Sequence, residues 1–353
     1  MILKKLSVIF SAAVVAISAM MLTAGAADSV KINEKNFPDE IFRAYVQKNF
    51  DKDEDGMLSE KEISNVKRII VRNNVIESVK GVEYFTELEY LNCEHNNIGE
   101  FDLTKNTKLR TFCCGKNIIP ELDLSKNTEL EWLDCYGCGL TELDVSKNKE
   151  LTYLACYHND LKKLDVSKNT KLRTLYCENN EFTSLDLSKN TELADLDCGN
   201  NHLKKLDISK NKKLIDLLCD NNELTSLNVS KNIKLDHLRF SNNQIKSIDL
   251  SKNKKLTRLY CDGNKLVSLS VVSDGFSTFK CGDNKFVISA SKGESYDLSK
   301  LEKYGFDPEK ASNWSGAEYD KKTNTIKIKK RTVTYTYDAG GYKVTFTLIA
   351  KEK

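Results

Sequence analysis

Apolar residues return along most of this chain with a period of 21. Cys93, Cys114, Cys135, Cys156, Cys177, Cys198 and Cys219 are spaced at 21, Phe240 and Cys261 continue that spacing, and Cys281 follows at 20. A second column runs Leu88, Leu109, Leu130, Leu151, Leu172, Leu193, Leu214, Leu235 and Leu256, and closes on Phe276. One unit reads Leu172-x-x-Leu175-x-Cys177-x-x-Asn180-x-Phe182-x-x-Leu185-x-Leu187-x-x-Asn190. A fixed period of this size makes residues one unit apart vertical neighbours in a stack of coils. Leu175 and Cys177 alternate with outward residues, as a short strand requires. What remains of the unit is too short for a crossover helix. Each coil therefore returns through extended or turn-like backbone such as Leu185-Asp186-Leu187-Ser188-Lys189-Asn190. Asn180 falls where the strand turns, and its amide can satisfy backbone groups there. No coil buries enough to fold alone. Stacking supplies the rest, so both ends need caps.

The ends break the period. Asn36-Phe37-Pro38 opens a helix whose apolar face reads Ile41, Phe42, Tyr45, Val46 and Phe50. The loop Asp51-Lys52-Asp53-Glu54-Asp55-Gly56-Met57-Leu58-Ser59-Glu60-Lys61-Glu62 fills a calcium-loop template. Asp51, Asp53 and Asp55 stand at its first, third and fifth places, and Gly56 supplies the sharp turn. The Met57 carbonyl, Ser59 and Glu62 complete an oxygen cage for Ca2+. The other reading is an acidic turn that holds a helix pair without metal. Ser59 and Glu62 also form a capping box for the next helix. Val71, Asn74, Ile76 and Val79 copy parts of the repeat, as a half-formed first coil would. Beyond Phe286 the period changes to two, over 323–328, 332–337 and 342–348. Asp338-Ala339-Gly340-Gly341 is placed as a hairpin turn between the last two.

The repeat unit is similar to the leucine-rich repeat, L-x-x-L-x-L-x-x-N-x-L, with cysteine at the third apolar site. The expected fold is a leucine-rich-repeat solenoid of parallel β-strands in 21-residue coils, with an α-helical N-terminal cap and a small all-β C-terminal module. Its segments are a signal peptide over 1–26, the cap over 27–70, the solenoid over 71–287 and the β-rich domain over 288–353. The Leu-x-x-Leu-x-Cys-x-x-Asn units, their Leu-Asp-[Leu/Val]-Ser-Lys-Asn returns and the order of cap, array and β-module resemble the secreted internalin-like repeat proteins of Gram-positive bacteria. The resemblance implies a binding or adhesion protein and no ligand-contacting residue in particular. Two features depart from it: cysteine replaces leucine in the core column, and the calcium loop is fuller than in the best-known internalins.

Composition changes the picture at three points. Lys4 and Lys5 precede the uncharged stretch Leu6 to Leu22 and the small residues Ala24-Gly25-Ala26, the layout of a cleaved secretion signal. Losing two lysines takes the net charge from +3 to +1, which gives no reason to expect nucleic acid or an anionic membrane. The expected location is extracellular. Eleven cysteines in a secreted chain suggest disulfides. However, stacked strands about 4.7–4.9 Å apart carry parallel side chains, whereas a disulfide needs converging Cβ atoms about 3.5–4.5 Å apart. The nine column cysteines are expected as buried free thiols. Cys138, despite the Cys135-Tyr136-Gly137-Cys138 spelling, sits in the asparagine column. Cys113 falls on an outward strand position, where it could be exposed and reactive.

Outward strand positions line the concave face of a solenoid, its usual binding surface. Here they carry Tyr90, Trp132, Tyr136, Tyr153, Tyr157 and Tyr176, then Asp195, Asp197, Asp216 and Asp220, then His237, Arg239, Arg258 and Tyr260. Aromatic side chains outside the core are what partner surfaces use. Two partners remain open: a protein gripped by this face, or a polysaccharide stacked on the aromatic stripe. The lysine column from Lys126 to Lys252 lies on the returns and is expected as solvated surface. His95, His158, His202 and His237 lie in different coils, and none pairs with a nucleophile and an orienting acid, so catalysis is not expected.

Overall fold

The computed structural model describes residues 29–273 and 275–352. The signal segment expected over 1–26 lies outside them. The chain begins with β1 (Val30–Lys31), the helix Glu40–Phe50, β2 (Met57–Leu58) and the helix Glu60–Ser64. Then comes a parallel sheet of eleven strands, each three residues long and one coil from the next. These are β3 (Arg68–Ile70), β4 (Tyr90–Asn92), β5 (Thr111–Cys113), β6 (Trp132–Asp134), β7 (Tyr153–Ala155) and β8 (Thr174–Tyr176), followed by β9 (Asp195–Asp197), β10 (Asp216–Leu218), β11 (His237–Arg239), β12 (Arg258–Tyr260) and β13 (Thr278–Lys280). Their register follows the sequence columns: Leu154 faces Leu175 and Leu175 faces Leu196.

The column residues fill the core. All nine column cysteines are buried and free. Burial, with neighbouring acidic groups, pushes thiols such as Cys156 and Cys177 above their ordinary range. The asparagines act as the spelling suggests. Asn180 Nδ2 donates to the carbonyls of Cys156 (3.0 Å) and Cys177 (3.2 Å), and its Oδ1 accepts from Leu161 N (3.0 Å). A second buried column, through Asn148, Asn169 and Asn190, ties the return turns together from coil to coil. Cys138 replaces asparagine with its thiol, which donates to the Cys114 carbonyl at 3.3 Å. Where the strand turns, each coil spends at least one residue in the left-handed region, among them His95, His158, Asn179 and Asn200. Asparagine and histidine tolerate that region better than most residues.

The cap closes one end. Asp39 caps the helix Glu40–Phe50 through Phe42 N (2.8 Å), and its other oxygen accepts from Glu77 N in the first coil (2.8 Å). Phe37, Phe42 and Val46 are buried, and Phe50 packs edge-on against Phe85. Ile41 points outward, 45% exposed, because the helix turns Phe42 and Val46 inward instead. Tyr45 Oη accepts from Ile70 N (3.2 Å) on β3, the outermost strand of the sheet. The structure brings the sheet up to Arg68–Ile70, and Asn74 is exposed outside the asparagine ladder. Asn96 Oδ1 accepts from Asn74 N and Ile76 N in its place.

The far end is covered by β14 (Lys285–Ser291), β15 (Ser295–Asp297), β16 (Ala311–Ser315), β17 (Ala317–Asp320), β18 (Thr325–Ile328), β19 (Thr332–Asp338) and β20 (Lys343–Lys351). They form a four-stranded sheet, β14-β20-β19-β16, and a three-stranded one, β15-β18-β17. The β19–β20 hairpin turns through Gly340 and Gly341, both left-handed. Tyr342 stacks on Phe279 at 4.7 Å and donates its hydroxyl to nothing in its own hairpin; instead the hydroxyl accepts from Phe276 N (3.0 Å), joining the module to the last coil.

Candidate functional site

Three outward columns meet on the sheet face: the first and third residue of each strand, and the residue after the cysteine. In the early coils they carry rings. Trp132 and Tyr153 stack at 3.5 Å with planes 5° apart, because β6 and β7 place them in register. Tyr136 and Tyr157 stack at 4.7 Å in the column beyond the cysteines. Tyr176 meets the edge of Tyr153 at 5.8 Å. Tyr136 leans across Gly115 to bond His95 Nε2 at 2.9 Å, two coils away. A Cβ on Gly115 would stand 2.3 Å from the Tyr136 ring, so a larger residue there would push the ring out of this position. Tyr90 stands apart from this group, under the Arg68 guanidinium at 3.5 Å.

The charged part of the face largely pairs with itself. Arg239 Nη2 bonds Asp220 Oδ2 at 2.8 Å, and Asp220 is buried. Arg258 reaches Asp216 and Asp236, both at 3.3 Å, and His237 Nδ1 lies 3.3 Å from Asp216. The side-by-side acidic and basic stretches are thus in part an internal ion-pair network. Asp195 and Asp197 have no basic partner among the described residues. Burial raises both, with the charge of Asp216 acting on Asp195 and that of Asp220 on Asp197.

Two further carboxylates belong to this surface. Burial pushes Glu178 up to about 7, with help from Asp197 and Asp220. Burial pushes Asp134 up to about 6, with help from Glu94. Each occupies one of the three outward columns, so the period alone points to them once the columns are read for charge as well as for rings. Cys113 is a correction. It lies on an outward column yet is only 8% exposed, and burial pushes its thiol up to about 12. It is therefore neither exposed nor activated.

The acidic loop of the cap gathers three of the oxygen ligands its spelling names. Oxygens of Asp51, Asp53 and Asp55 lie within 4.8 Å of one another, the one such cluster of three among the described residues. Gly56 takes φ 79° at the turn. Asp51 accepts from Gly56 N (3.0 Å) and Asp55 from Met57 N (2.7 Å). Glu62 accepts from Lys52 N (2.6 Å), Ser59 N (2.8 Å) and Ser59 Oγ (2.7 Å), and so closes the loop and caps the next helix together. Strand β2 pairs antiparallel with β1, Met57 facing Lys31, so the loop is braced from its open side by the start of the described chain. An all-oxygen donor set with crowded carboxylates fits a hard cation such as Ca2+.

Comparison with known proteins agrees with this architecture. Residues 233–274 match the family described as leucine-rich repeats in two copies. No curated protein matches the chain. Among solved structures, the internalin InlF of Listeria monocytogenes superposes with a TM-score of 0.59 at 23% identity, covering 73% of this chain and 86% of that one. A leucine-rich-repeat protein of Leptospira interrogans gives 0.52 at 18%, covering 64% and 70%. The functional domain of InlJ from Listeria monocytogenes, said to include a cysteine ladder, gives 0.43 at 24%, covering 92% and 99%. At these identities the likeness is one of fold.

Proposed function

We propose that this is a secreted, non-enzymatic binding protein that grips a protein partner with the concave face of its sheet, at the aromatic coils from β6 to β8. One observation carries the reading: two ring stacks, Trp132–Tyr153 and Tyr136–Tyr157, stand on the sheet surface outside the core. Rings held in register lose little entropy when a partner covers them, and buried aromatics dominate binding energy. The stacking also favours a protein over a polysaccharide. A sugar ring needs an open aromatic face, and each stack hides two of its four faces. Edges and hydroxyls remain, which suit peptide groups and side chains.

The cap is read as a calcium-braced lid on the stack. Asp51, Asp53, Asp55, Ser59, Glu62 and the Met57 carbonyl would hold the ion, whose part is to neutralise the crowded carboxylates. Secretion rests on the Lys4 to Ala26 layout. No helix among the described residues is long and apolar enough to cross a membrane.

The test is an array of cell-surface proteins and of glycans, probed with the full secreted chain in calcium. Saturable binding to a protein that Trp132→Ala/Tyr153→Ala weakens by about thirtyfold or more supports the reading. Binding to glycans alone, or protein binding that the double variant leaves intact, overturns it.

A further inference from the structure

We propose that Asp134 and the rings beside it form a receptor for one alkylammonium group, the side chain of a lysine on the protein partner. This deepens the reading of the face as a partner surface and rests on it.

The recess follows from the columns. In the middle outward column Asp134 stands in register between Cys113 and Ala155. Both neighbours are small and buried, so the carboxylate is not crowded along its own column. The flanking columns are tall on each side. Trp132 and Tyr153 form one wall, Tyr136 and Tyr157 the other. The Asp134 charge is felt at the phenols of Tyr136, Tyr153 and Tyr157, which burial and that charge together hold above their usual range. Asp134 itself is half-buried, in the column between the two that carry the stacks.

Nothing among the described residues balances that charge. The polar contact of Asp134 is Tyr136 N, at 3.4 Å from Oδ1. No lysine, arginine or histidine forms an ion pair with it among the described residues. Elsewhere on the same sheet Arg239 pairs with Asp220 from the next coil, and Arg258 serves both Asp236 and, two coils back, Asp216, while Asp195 and Asp197 share the unpaired condition of Asp134. A half-buried carboxylate without a cation costs stability, and the stacked rings leave hydroxyls free beside it. The hydroxyls of Tyr153 and Tyr157 make no hydrogen bond among the described residues, so they are available to the same guest.

The shape selects among cations. Oδ1 faces Tyr136 N, which leaves Oδ2 as the free acceptor. A compact ammonium satisfies one oxygen, whereas a guanidinium fork is matched to two. A quaternary ammonium has no N–H to give the carboxylate. The apolar stem of a lysine would lie along the ring walls.

The chain has two tryptophans, so Trp314→Phe leaves Trp132 as the sole reporter of the recess. The full chain with that change is titrated with Nα-acetyl-lysine methylamide, its norleucine counterpart, Nα-acetyl-arginine methylamide and tetramethylammonium. The expected result is saturable quenching by the lysine amide at about millimolar concentration. The norleucine amide should give none, and the arginine amide and tetramethylammonium should bind at least threefold more weakly, on the order of the difference between a matched and a mismatched cation. Asp134→Asn should abolish the response while raising the thermal midpoint, since it removes a desolvated charge; loss of binding would then not reflect unfolding. Equal response in Asp134→Asn, or equal response to norleucine, overturns the proposal. A protein partner lost in Trp132→Ala/Tyr153→Ala but fully retained in Asp134→Asn also overturns it, and leaves the wider reading of the face intact.

Discussion

At the residue scale, one position in each coil carries most of the specification. Asn180 is buried and bonds four backbone groups belonging to two coils. Asn180→Ala leaves those groups without partners in the core and should cost about 2–5 kcal/mol in urea unfolding. Ala at the exposed Lys189, on the return turn, should stay within about 0.5 kcal/mol. Glu178 tests the electrostatics of the face. Its carboxyl is held at about 7 in the fold against an ordinary 4.5. Over that interval the folded chain keeps a proton that the unfolded chain has released. Stability therefore falls as pH rises through the interval, and is unaffected by this group below it. Glu178→Gln should stabilise the fold by about 1 kcal/mol at pH 8, after allowance for its partial exposure, and by nothing at pH 4. Thermal melts at the two pH values read the difference. The columns and their inward roles were legible from spelling alone. The leaning of outward side chains was not: Tyr136 crosses to His95 because Gly115 between them is small, and Arg258 reaches past His237 to Asp216 by the length of its own side chain. Cys113 was misplaced too, because an outward column does not by itself imply exposure.

At the scale of the element, the acidic loop and its braces decide the cap. If the loop holds Ca2+ at about 10⁻⁴–10⁻³ M, then 10 mM calcium should stabilise the chain by about 1–3 kcal/mol relative to chelator. The effect should vanish in Asp53→Asn/Asp55→Asn, as read by the thermal midpoint with and without calcium. A midpoint indifferent to the ion would favour the plain acidic turn. The loop was legible because its oxygens follow a fixed spacing. Its pairing with β1 was not, since two residues of extended chain carry no pattern of their own. The helix before the loop shows a similar limit. Its apolar residues predicted a five-residue face, but Ile41 lies outside the arc that Phe42 and Val46 set. Several coils also carry ion pairs one period apart, such as Lys171–Glu150 and Lys213–Glu192, on the exposed returns. Such pairs contribute little singly. The exposed lysine column beside them keeps the returns solvated.

At the scale of the whole molecule, stacked coils, cap and β-module share one apolar core, so neither end is an appendage. The rings of Phe276 and Phe279 at the last coil are covered by Tyr342 of the terminal hairpin. A chain ending at 287 should expose them and the edge of β13, and should aggregate on light scattering where the full chain does not. The thiols report on the same unity. All eleven cysteines are buried and free, so a thiol reagent at pH 8 should label none in the folded chain and all eleven in urea. The most direct test of the partner face is hydroxyl-radical footprinting of the chain with and without the protein that the array returns. Trp132, Tyr153, Tyr157 and Tyr176 should become protected while the lysine-bearing returns stay reactive. Rings that remain equally reactive in the complex, with protection moved to those returns, would contradict the assignment of binding to the aromatic coils.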